Sequence, residues 1–261
     1  MKKTILSILT AAVTAASSQA QILVAGWDFQ TTSNGGTAVI AAPGTGVANN
    51  TPKVYVSNFG SGTLYLDGSN SSSNWLLPAT GVTNAEITSA SGSSVNTSGT
   101  LLSNATTSPA ALSLLGGALS GSVYSANGKA AVFKFSMLGL SNLSISFSSQ
   151  RSGTGFTSMS WDYSSNGGSS WSSIGSFSSG TAAGTIASPF ATSDILSLPA
   201  FAGLDGVSDA LVRISFNGAS AANGSLRLDN IQLSAVPEPS SSILMVLGVG
   251  ALIGIRAFRR K

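Results

Sequence analysis

The sequence predicts an all-β fold, an antiparallel sandwich or barrel, on three observations. Apolar residues alternate with polar ones in four separate runs of the second half of the chain, which gives each run one buried and one solvated face. Only 8% of the 261 residues are charged and 30 are glycine, a composition that suits strands joined by long polar loops. Between the two terminal segments, no stretch repeats its apolar residues convincingly at the helical period.

In chain order, the first strands are expected at residues 22–29, 53–59 and 63–66. Residues 84–108 are almost wholly Ser, Thr, Asn, Ala and Gly. Such a run buries too little apolar area to offset its ordering entropy unless it lies across a sheet built elsewhere, so it is either an edge excursion or a flexible segment. Residues 110–119 contain Gly116-Gly117 and read as a loop or short turn. Strands follow with Phe133, Phe135 and Met137 inward, then Leu143, Ile145 and Phe147, then Met159, Trp161 and Tyr163, then Val212, Ile214 and Phe216. In the closing strand Leu226 and Leu228 are out of phase with Ile231 and Leu233, and a bulge near Asp229-Asn230 accounts for the slip. A two-domain split would leave residues 22–83 with few strands, so one sandwich closed by its first and last strands is expected over residues 21–235.

Both ends carry addresses. Lys2 and Lys3 precede an apolar run over residues 5–16, and Ser18-Gln19-Ala20 offers the small residues of a signal-peptidase site, so residues 1–20 read as a signal peptide cut between Ala20 and Gln21. At the other end Val236-Pro237-Glu238-Pro239 opens an uncharged stretch of 17 residues, 239–255 with Pro239 as its first, and then come Arg256, Arg259, Arg260 and Lys261. At ~1.5 Å per residue a helix of that length reaches about 25 Å, enough for one thin membrane span. The terminal cations stay cytoplasmic by the positive-inside rule, which puts the body across the membrane.

The tail over residues 236–261 resembles the PEP-CTERM sorting signal of Gram-negative bacteria that make extracellular polysaccharide. The resemblance implies that an exosortase, a membrane transpeptidase, recognises the Pro-Glu-Pro element, removes the tail and releases or re-anchors the protein. It implies export across the inner membrane by signal peptidase and the secretion machinery, transient anchoring through the hydrophobic helix, and a final place at the cell surface or in the extracellular matrix.

Removing both ends changes the charge. The whole chain carries +3, whereas residues 21–235 hold six cations against eight acids, a net −2. A weakly acidic body without a basic run is a poor nucleic-acid binder. With no Cys and no His, thiol nucleophiles, Ser-His-Asp triads, disulfides and the usual zinc sites are excluded.

The opening Ala25-Gly26-Trp27-Asp28-Phe29 and the closing Leu226–Leu233 strand resemble segments of jelly-roll β-sandwiches of extracellular bacterial proteins, carbohydrate-binding modules among them. If first and last strands pair, Asp28 and Asp229, with the Asn230 amide and backbone carbonyls, would offer hard oxygens to a structural Ca²⁺; otherwise both aspartates are polar strand residues or turn caps. No other cofactor is expected. Residues 164–171, Ser-Ser-Asn-Gly-Gly-Ser-Ser-Trp, resemble the Asp-box with Asn166 in place of Asp, and read as a hairpin with Trp171 packing back on the preceding strand. Trp75, after a polar run, is either an exposed glycan platform or a core anchor. A glycoside hydrolase needs only two carboxyl groups about 5–10 Å apart. Three readings follow: a non-catalytic surface or exopolysaccharide-matrix protein, which is favoured, a carbohydrate-binding module, and a hydrolase.

Overall fold

The computed structural model describes residues 20–29, 54–66, 89–92, 111–117, 119–182, 184–188 and 195–238. The apolar run of the signal segment, most of residues 84–108, Trp75, Pro239, the hydrophobic tail and the cations Arg256, Arg259, Arg260 and Lys261 lie outside these residues.

Every regular element among the described residues is a strand. The first are β1 (Ile22–Trp27), β2 (Val54–Val56), β3 (Phe59–Gly60) and β4 (Gly62–Tyr65). Then come β5 (Ser89–Gly92), β6 (Ala111–Leu115), and the small hairpin of β7 (Leu119–Ser120) and β8 (Val123–Tyr124). The second half contains β9 (Ala130–Phe135), β10 (Leu140–Arg151), β11 (Ser158–Ser164), β12 (Ser172–Gly180) and β13 (Ile186–Ala187). β14 (Ile195–Phe201), β15 (Ala210–Asn217) and β16 (Ser225–Pro237) complete it.

Fourteen strands form one curled sheet whose hydrogen-bonded path is β2-β4-β9-β15-β11-β12-β13-β10-β16-β1-β3, with β14 beside β10, β6 beside β16 and β5 beside β6. The sheet folds over on itself because both halves of that path have an apolar inner face. Trp27 on β1 meets Phe133 on β9 edge to face at 5.1 Å between ring centroids. Phe147 on β10 lies 4.8 Å from Trp161 on β11, and Trp161 stacks on Phe133 at 6.0 Å. Each such side chain contributes roughly 1.5–3 kcal/mol by leaving water. Of the inward positions expected from the alternation, Phe133, Phe135, Met137, Leu143, Ile145, Phe147, Met159, Trp161, Val212, Ile214 and Phe216 are buried in this one core, whereas Tyr163 is only half-buried against it.

First and last strands pair, with Ile22 opposite Ala235 and Trp27 opposite Ile231. Within β16 the register against β10 slips where Ser146 faces Gln232 but Ser148 faces Asp229. Asn230 sits at the slip with φ of 47°, so Leu226, Leu228, Ile231 and Leu233 all reach the core despite their phase difference.

One expectation is corrected. Residues 111–115 are not a loop or turn but the fully buried strand β6, paired with β16 on one side and β5 on the other. The Ala-Leu-Ser-Leu-Leu run is covered on both faces and so shows no alternation. Gly116-Gly117 ends the strand, with Gly117 at φ 78°.

Past Phe147, β10 continues through four buried polar residues, Ser148, Ser149, Gln150 and Arg151. The Arg151 guanidinium ties the following turn by donating to the carbonyls of Gly153 (2.8 Å) and Gly155 (2.8 and 3.2 Å) and to Ser188 Oγ (2.8 Å). Burial lowers its pKa from the ordinary arginine value. Gly155 is required there, because a Cβ would stand 2.0 Å from the Ser225 carbonyl oxygen.

Candidate functional site

The start of the C-terminal motif belongs to the fold. Val236 faces Ser141 and Pro237 faces Leu140 at the end of β16, and the Ser141 hydroxyl donates to the Val236 carbonyl at 3.3 Å. Glu238 N–H donates to the Gly139 carbonyl at 2.8 Å. Gly139 turns the chain between β9 and β10 at φ 68°, a conformation that favours glycine. β1 has ended by this point, so Pro237 lies at a strand end where its missing N–H is tolerated. Val236 and Pro237 are half-buried and the Glu238 side chain is exposed. Ala20 and Gln21 are exposed just before β1.

The same β1/β16 pairing brings Asp28, Asp229 and Asn230 to one end of the two strands, a step beyond the Trp27–Ile231 pair. All three are buried, at 2%, 0% and 1% exposure. Asn58 Oδ1 accepts from the backbone N–H groups of Asp28 (3.0 Å) and Phe29 (3.2 Å), and Asn230 N–H donates to Asp229 Oδ1 at 2.8 Å. Phe29 and Asn230 both have positive φ, 54° and 47°. Among the described residues no group of three or more His, Cys, Asp or Glu gathers, so any cation here would rely on amide and backbone oxygens beside the two carboxylates.

A third region lies on the outer face of the β4-β9-β15-β11 layer. Tyr65, Val132, Arg213 and Asp162 stand side by side in one cross-strand row. Arg213 Nε pairs with Asp162 Oδ2 at 2.9 Å, and its Cζ lies 4.3 Å from the centroid of the Trp171 ring. Tyr65 and Trp171 pack against the buried Val132 and Leu211. Trp171 thus reaches across to residues of β9 and β15. Its approach is set by the β11–β12 turn, where Asn166 Oδ1 accepts from Ser164 Oγ (2.8 Å) and Ser170 N–H (3.0 Å), while Gly167 and Gly168 take positive φ. Beside Tyr65 a groove of about 480 Å³ opens, lined by Thr63, Lys134, Ser136, Ser208 and Asp209, with Lys134 Nζ 3.1 Å from Asp209 Oδ1.

Trp75, by sequence either a glycan platform or a core anchor, lies outside the described residues, and the sequence does not single out this outer face. The available signal was the polar phase of the same alternation: Lys134, Arg213 and Asp162 each stand between core residues and so point outward from their own strands.

Residues 235–261 match the PEP-CTERM protein-sorting motif. The motif marks an exported protein processed at the membrane, and its processing partner is an exosortase. Comparison with curated proteins returns no match. Among solved structures the chain is similar to the K1 cleaved adhesin domain of Lys-gingipain from Porphyromonas gingivalis W83, with a TM-score of 0.33 and 10% identity over 49% of this chain and 75% of that one. The K2 domain of Lys-gingipain gives 0.33 and 12% over 51% and 75%. The K3 domain from the same organism gives 0.31 and 13% over 50% and 77%.

Proposed function

We propose that the mature protein is a non-catalytic component of the cell surface or exopolysaccharide matrix, and that the outer face around Tyr65 and Trp171 contacts neutral matrix glycan. The observation that carries this reading is the combination on one face of two aromatic rings, two ion pairs and an open hydroxyl-lined groove. Aromatic faces stack on the C–H faces of sugars, and carboxylates and guanidinium groups bond their hydroxyls. The four charges cancel within their pairs, so the face attracts neither sign of glycan by charge. Four carboxylates of the described residues are engaged within the fold. Asp162 and Asp209 are engaged in ion pairs, Asp205 accepts the Asn142 N–H at 2.7 Å, and Asp229 accepts the Asn230 N–H.

The test is affinity electrophoresis of the mature protein in gels containing the host's own neutral exopolysaccharide. Retardation is expected, and Tyr65→Ala should weaken it about tenfold, the size of one lost aromatic stacking contact. Migration identical to that in plain gel would overturn the glycan reading. A defined single-sugar specificity that depends on Trp75 would favour the carbohydrate-binding-module alternative.

A structural Ca²⁺ at Asp28, Asp229 and Asn230 is a second reading, favoured by the burial of two carboxylates at one strand junction. Taking a carboxylate out of water is costly, and a divalent cation held by hard oxygens would offset that cost.

A further inference from the structure

We infer that Gly139 and Ser141 are positioning residues for exosortase processing: they hold the recognition element on β10, and the enzyme takes it only after residues 236–238 peel away. Three contacts converge on this seat. They are the Ser141–Val236 and Leu140–Pro237 register, the Ser141 hydroxyl on the Val236 carbonyl, and the Glu238 N–H on the Gly139 carbonyl at 2.8 Å. The turn that supplies Gly139 is itself braced, since Gly206 N–H donates to the Leu140 carbonyl at 3.0 Å. The exposed Glu238 side chain is presented to a partner, but one backbone edge of the motif is already occupied. A transpeptidase cleft that takes its substrate as an extended strand needs that edge free.

Distance sharpens the constraint. Only residues 239–242 separate Glu238 from the apolar run beginning at Ile243, a reach of at most about 17 Å when fully extended. While the motif is seated, the folded body therefore stands close to the membrane and against the enzyme's approach. Peeling three residues lengthens the free peptide by about 10 Å and exposes both edges of the strand. The body thus sets the rate at which its own tail is removed, through the stability of one strand end.

The experiment uses the full-length chain in its exosortase-bearing host, with conversion to the tail-less form followed by pulse-chase and intact mass. Inserting Gly-Ser-Gly-Ser between Ala235 and Val236 moves the unaltered motif off β10 and should speed conversion about tenfold, as expected for losing one or two strand-end hydrogen bonds. The same insertion after Ser240 lengthens the tether without unseating the motif and should leave the rate near wild type. In the opposite direction, the Ser141→Cys/Val236→Cys pair faces across the two strands at a spacing a disulfide spans, in a chain with no other cysteine. Oxidised, it should stop conversion, and a reductant should restore it. Wild-type rates for the first insertion or for the oxidised pair would overturn the inference while leaving the sorting assignment intact. An unprocessed wild-type chain in that host would overturn both.

Discussion

At the residue scale, Asn230 does the most for its size. Its φ of 47° lets β16 slip by one residue against β10, and that slip keeps four apolar side chains in the core with Asp229 and Asn230 buried between them. Asparagine tolerates the left-handed region because its short amide bonds locally, whereas a β-branched side chain clashes there. Asn230→Val should therefore cost about 2 kcal/mol and Asn230→Gly much less, a difference readable as separate urea midpoints with equal slopes. Equal stability of the two variants would show that the bulge conformation is not what constrains this position. The phase mismatch between Leu228 and Ile231 made the bulge legible in the sequence. The seating of Glu238 on Gly139 was not legible, because a backbone hydrogen bond to a distant turn leaves no trace in side-chain pattern.

At the element scale, β6 shows where periodicity fails as a guide. A strand with one solvated face advertises itself by alternation, but Ala111–Leu115 is covered on both faces and reads as an undifferentiated apolar run before two glycines. Its place in the core makes a definite prediction. Leu114→Ala should destabilise the protein by about 2–4 kcal/mol in chemical denaturation, the usual range for a buried leucine. A loss under about 0.5 kcal/mol would return the segment to the status of a surface turn. The β11–β12 hairpin was readable from Asn166-Gly167, since few residues accept positive φ. The destination of Trp171, over Val132 and Leu211 with Arg213 above its ring, depended on which strands became neighbours.

At the scale of the whole molecule, the chain closes by joining its first strand to its last, so the β1/β16 junction ties residues about 200 positions apart. A cation bound by Asp28 and Asp229 would fasten that closure and stabilise the folded state by mass action. Adding millimolar Ca²⁺ to chelator-treated protein should then raise Tm by several degrees, and Asp229→Asn should abolish the rise. An unchanged Tm in calorimetry would remove the cation from the account. The sequence by itself determined the all-β class, the inward residues of the long strands and the sorting tail, because these depend on local alternation, composition and contiguous motifs. Only the tertiary structure decided that the motif's first residues are part of the sheet, that two distant aspartates share a buried end, and that Tyr65, Trp171, Lys134 and Arg213 form one face. Period-two patterns say which side of a strand is buried but not which strands become neighbours, and each of those sites is made by neighbours.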